Sequence, residues 1–144
     1  MIQLDEWIIS VLEEIEVEHF PFSIMENGKI QVAQSTKYET GCIVKTIDSF
    51  KLNKNGTVDC KSVFYFFQEI SQDGDVIDDL NIRSENILKK VISFTKKLNS
   101  APFLTNPNGD EIELMAYENI TTAVETGLSF SVTFRLSYSQ CGLI

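Results

Sequence analysis

Two spacings of apolar residues organise the chain. Leu4, Ile8, Val11, Leu12 and Ile15 recur at helical intervals, and Trp7 and Ile9 widen the stripe. Asp5, Glu13, Glu14 and Glu16 take the other side. An amphipathic helix is therefore expected over about residues 4–16. Phe20-Pro21-Phe22 ends it, because the residue before a proline avoids helical angles. A second helix is expected over about residues 79–99, with Ile87, Leu88, Val91, Phe94, Thr95 and Leu98 as its inner stripe. Asp75, Asp78, Asp79 and Glu85 crowd its start, whereas Lys89, Lys90, Lys96 and Lys97 come later. That order complements the helix dipole.

The remaining apolar pattern has the period of strands. Asn27-Gly28 lies between FSIM and KIQV, and Asn55-Gly56 between GCIVKTIDSFKL and TVDCKSVFYFFQEI. Asn-Gly accepts the two positive φ angles of a type I′ turn, so both predict hairpins, the second more strongly. Asn108-Gly109 precedes DEIELMAY, where Ile112, Leu114 and Ala116 alternate with acids as a strand would. VFYFF, at residues 63–67, is apolar on both faces. Such a strand is central and covered on both sides. Helices are expected on one face. The other face takes either an irregular cover from this chain or a neighbouring subunit.

The stretch LSFSVTFRLSY, at residues 128–138, alternates throughout. Leu128, Phe130, Val132, Phe134, Leu136 and Tyr138 point one way, and Ser129, Ser131, Thr133, Arg135 and Ser137 the other. A solvated face in an acidic protein would carry Glu or Lys. This one is small and hydroxylated, and charge is the usual deterrent to association. These five residues are read as subunit or partner contacts, with an ordinary solvated face as the alternative. Arg135 would supply a directional contact to a neighbour's carboxylate. The element order is helix, hairpin, hairpin, helix, two strands. It predicts an α+β fold in one domain over residues 1–144, a mostly antiparallel sheet of about five to six strands with two helices packed on one face.

Composition narrows the partners. Charged residues are 23% and hydrophobic residues 43% of the chain, ordinary globular usage. Twelve basic and twenty-one acidic residues leave a formal charge of −9. That charge repels phosphate backbones and anionic lipid, so neither nucleic acid nor membrane is expected as a partner. The opening MIQLDEWIIS lacks the basic region and cleavage site of a signal peptide, and no secretory leader is expected. Three cysteines without a CxxC suit free thiols in a reducing, cytoplasmic setting. The Asn-X-Thr matches at Asn55 and Asn119 are then coincidental.

Candidate chemistry is sparse. His19, the only histidine, sits in EVEHFPF, and no glycine-flanked serine elbow accompanies it. It is read as a half-exposed loop residue. A cysteine nucleophile would need His19 beside Cys42, Cys60 or Cys141; the first two fall in strand patterns, where buried thiols are common. SQDGDVIDDLN departs from the EF-hand pattern, because glycine directly follows its first aspartate. Asp73, Asp75, Asp78 and Asp79 are read as a solvated loop and helix-start charge. There is no GxGxxG or P-loop. No catalytic residue, metal or cofactor is expected, and the chain is read as non-enzymatic. The alternative is a small ligand- or peptide-binding domain.

The layout also resembles small virion proteins of tailed phages and prophages, of the head–tail connector and tail-terminator type. The matching features are LDEWIISVLEEI, a long hairpin, SVFYFFQEI, NILKKVISFTKKLN, and the terminal pair ELMAYENI and GLSFSVTFRLS. The resemblance rests on order and pattern. It implies a protein without an active site that assembles as a homo-oligomeric ring and meets other virion proteins, in the host cytoplasm and in the virion. It implies contact roles for Arg135, the hydroxyl face, and Asp73, Asp75 and Asp78 in the loop at residues 73–79.

Overall fold

The computed structural model describes residues 2–22, 25–26, 29–30, 38–68, 76–107, 111–118 and 126–141. Helix α1 spans Ile2–Glu14 and α2 spans Val76–Leu98. The strands are β1 (Val17–Pro21), β2 (Met25–Glu26), β3 (Lys29–Ile30), β4 (Thr40–Leu52), β5 (Thr57–Gln68), β6 (Leu104–Thr105), β7 (Met115–Glu118) and β8 (Thr126–Ser137). The main sheet runs β1-β4-β5-β8-β6, with β7 also on β8, and β2 pairs with β3 apart from it. Among the described residues only β1 and β4 pair in parallel, and the other pairings are antiparallel. The fold is α+β, and no helix among the described residues is long and apolar enough to cross a membrane.

The register assigns each sheet residue to a face. Cys42 pairs with Phe66 and Val44 with Phe64, and across β5 these meet Leu128 and Phe130. This inner face packs in one cluster with Leu4, Ile8 and Leu12 of α1 and with Ile87, Val91 and Phe94 of α2. Both helices therefore cover the same side. The α2 stripe is narrower than its sequence predicts: Leu88 is exposed and Thr95 only half-buried. Lys90 Nζ donates to Ile15 O at 2.7 Å, and Lys97 Nζ meets Glu14 Oε1 at 3.0 Å. Both lysines of α2 thus reach the C-terminal end of α1, where the helix dipole favours positive charge.

The β4–β5 hairpin turns through residues 53–56. Asn53 N–H donates to Thr57 O at 2.9 Å, and Gly56 alone in the turn takes a positive φ, +85°. That is a longer loop closed by a left-handed glycine rather than a type I′ turn. Further along, the register shifts between Lys45 and Ser49. The displaced Thr46 carbonyl accepts from Ser62 Oγ at 2.6 Å. This explains a fully buried serine on the core face, since a buried bulge carbonyl needs a donor.

Two features depart from expectation. His19 lies in β1 rather than a loop, as the register partner of Cys42. Residues 111–114 are not strand, and β7 begins only at Met115. β6 and β7 border β8 at either end. Between them Asn106, at φ +45°, receives Thr133 N–H on Oδ1 at 3.0 Å and donates its own N–H to Thr133 O. Residues 126–129 and 133–135 of β8 are thereby engaged on this side. β4 differs: β1 pairs only with its first half, Thr40 to Val44. Residues 45–52 have β5 on one side and no strand among the described residues on the other.

Candidate interaction surface

The alternation of β8 places Ser129, Ser131, Thr133, Arg135 and Ser137 on the outer face, away from both helices. Their register partners on β5 are Tyr65, Val63, Lys61, Asp59 and Thr57. None of the five is fully buried. Arg135, read from its place in the strand as a contact to a neighbour's carboxylate, pairs with a carboxylate of its own chain. Its Nε lies 2.8 Å from Asp59 Oδ1 and its terminal nitrogen 3.1 Å from Oδ2. This is a bidentate fork across a directly opposed strand pair, the geometry that suits guanidinium and carboxylate. Ser137 is also engaged within the chain, accepting from Gln140 N–H at 3.2 Å. Ser129 Oγ makes only a long contact to Met115 O, 3.5 Å. The hydroxyls of Ser131 and Thr133 are unpaired among the described residues, beside the exposed Lys61.

The two ends of the outer face differ. At the β1 end, Ile43 and Phe67 are fully buried although no helix among the described residues lies above them. Phe20 packs on Phe67 with ring centroids 5.7 Å apart, and Phe22 stacks on Tyr65 at 6.3 Å. The chain after α1 therefore supplies an irregular cover over this part of β5. At the hairpin end, Lys51, Asp59, Arg135 and Leu104 form one row across four strands. The middle of the β8 stripe has no element over it among the described residues.

Arg135 holds the Asp59 carboxyl below the ordinary carboxylate range; burial opposes this, and Asn53 and the Lys51 charge assist. A carboxyl with a lowered folded pKa stabilises fully above its unfolded pKa, about 4, and loses that contribution as pH falls through the folded value. Asp59→Asn should therefore be less stable than the parent protein at pH 7, with the gap closing as pH drops below about 4. Urea unfolding at several pH values measures it, and an unchanged gap in acid would exclude the linkage.

His19 and Cys42 are register partners across β1 and β4, so a cysteine–histidine pair is considered there. The electrostatics run the wrong way. Burial pushes the fully buried Cys42 thiol well up, and burial lowers His19, with Asp5 partly offsetting. A nucleophilic dyad needs a lowered thiol and a cationic imidazole. Cys60 is pushed up to about 11, mainly by burial, and its thiol donates to Thr46 O. Among the described residues no group of three or more His, Cys, Asp or Glu could hold a metal ion.

Asp73 and Asp75 lie outside the described residues. Asp78 falls in the first turn of α2, and its side chain also lies outside them. Cavities among the described residues on the helix side include two beside α2. One, of about 380 Å³, is lined by Glu16, Glu39, Lys89 and Lys90 among others. The other, of about 300 Å³, lies between Val91, Ile92 and Thr95 of α2 and Ile112 and Leu114. No protein-family model matches this chain, and no curated protein shows significant similarity to it.

Proposed function

We propose that this chain is a non-enzymatic structural subunit that acts through contacts between copies, of the kind that joins head and tail or ends the tail tube in tailed phages and prophages. The observation carrying this reading is the outer stripe of β8. Both helices pack on the opposite face, and the stripe offers small hydroxyls, two of them unpaired among the described residues. Its single cation is neutralised by Asp59 of the same chain. A surface of that kind admits close approach of another backbone without burying an uncompensated charge. The order of elements, which resembles connector and terminator proteins, supplies the assignment to a virion.

Size exclusion coupled to light scattering tests the assembly. Multimers are expected as concentration rises, and a strict monomer at high concentration overturns the reading. Portal, capsid and tail genes beside its own are the expected neighbourhood; their absence removes the phage assignment alone. The apolar groove beside α2 favours a second reading, a ligand- or peptide-binding domain. A thermal-shift screen that finds one specific stabilising small molecule would promote it.

A further inference from the structure

Helix α2 carries an exposed apolar stripe beside the face it buries. Leu88 is 39% and Ile92 45% exposed. Glu85 precedes them and Lys96 follows, both exposed. Spacings of three and four residues place all four on one side of the helix. The stripe is therefore acidic at its start, apolar in its middle and basic at its end. Along one flank runs the groove of about 300 Å³ between Val91, Ile92 and Thr95 of α2 and Ile112 and Leu114.

Such a stripe complements itself when reversed. Laid parallel on a second copy, Glu85 would meet Glu85 and Lys96 would meet Lys96. Laid antiparallel, each glutamate meets a lysine, and opposite ends of the two helix dipoles adjoin. The two-fold axis midway between Glu85 and Lys96 passes between Lys90 and Val91. Leu88 of the second copy then comes level with Ser93, between Ile92 and Thr95, where the groove opens. A two-fold axis also keeps each residue on its own flank of the contact. At 3.6 residues per turn, Leu88, Val91 and Thr95 share one flank, and Glu85 and Lys96 share the other. The leucine thus arrives on the groove side and the charges meet on the opposite side. Lys89 lies with the charges, 3.5 Å from Glu85 of its own chain. The net charge of −9 opposes self-contact at long range, and the local pairing offsets it.

We propose that α2 packs antiparallel on α2 of a second copy of this chain, with Leu88 of each seated in the groove of the other. The contact is isologous and closes at two copies. It goes beyond the structural-subunit reading, whose contact surface is the outer face of the sheet, because both helices lie on the inner face.

The test uses Leu88→Asp, Glu85→Lys and Lys96→Glu in the full chain. All three side chains are exposed, so circular dichroism and melting temperature at dilute concentration should stay close to those of the parent protein. Light scattering over a concentration series should show Leu88→Asp dimerising about tenfold or more weaker. Each charge reversal alone should weaken the dimer about tenfold at low salt, because it turns both pairs repulsive. An equimolar mixture of the two charge variants should recover parental dimerisation. The mixed dimer re-forms both pairs, one of them with its signs exchanged. Three results overturn the proposal. Parent multimers untouched by these variants remove the α2 contact and leave the subunit reading standing. Weakening by both charge variants without recovery in the mixture removes the antiparallel pairing. A strictly monomeric parent removes both the contact and the subunit reading.

Discussion

Phe94→Ala is expected to lower the unfolding free energy by about 3–5 kcal/mol. Phe94 is fully buried on α2, and its ring centroid lies 4.8 Å from Phe64, 5.8 Å from Phe66 and 5.9 Å from Phe130. It is a side chain through which α2 meets β5 and β8 together. Its loss removes apolar burial and leaves a cavity walled by rings. Those rings are held on neighbouring strands and cannot close the space cheaply. Against a total of about 5–15 kcal/mol, this is a large fraction. Urea unfolding should show a lower midpoint at constant slope. Ile92→Ala, two residues earlier on α2 and 45% exposed, is the control and should cost about 1 kcal/mol or less. A cost below about 1.5 kcal/mol for Phe94→Ala would show that the aromatic cluster is not the junction described here.

The second large effect concerns Gly41 in β4. A methyl group there would stand 2.6 Å from Phe67 Cζ and 2.9 Å from Phe20 Cε2. Both rings lie across the glycine on the outer face, and Phe67 is fully buried. In an open site, replacing glycine by alanine stabilises by about 0.4–1 kcal/mol through the unfolded chain. Here overpacking opposes that gain, and Gly41→Ala is expected to destabilise by about 1–3 kcal/mol. The same substitution should displace Phe20 and loosen β1 from β4, which hydrogen exchange at residues 17–20 would detect as lost protection. An alanine variant as stable as the parent would mean that the rings move aside at little cost.

Much of this architecture can be read from residue order because side-chain period belongs to each element alone. A strand alternates and a helix repeats every 3.6 residues whatever its partner. Ile87, Val91, Phe94 and Leu98 could thus be assigned to one face of α2, and Phe130, Val132, Phe134 and Leu136 to one face of β8. The Asn55-Gly56 turn located the long hairpin, since few residues tolerate positive φ. The unequal fate of the outer face was not legible. Ser131 and Ser137 look alike in the strand pattern, yet the turn after β8 brings Gln140 onto Ser137 and leaves Ser131 unpaired.

Sequence by itself determined the two helices, the β4–β5 hairpin, the inward face of β8 and hence the α+β class. Only the tertiary structure decided what each strand lies beside. β1 was missed because Glu18 and His19 interrupt its apolar pattern, and its parallel place on β4 depends on chain well beyond it. Arg135 found Asp59, seventy-six residues away, because β8 docks on β5 in one register. Residues 45–52 of β4 keep β5 on one side and have no strand among the described residues on the other. Periodicity is a local property of the backbone, whereas pairing and register follow from which apolar faces meet across a shared core.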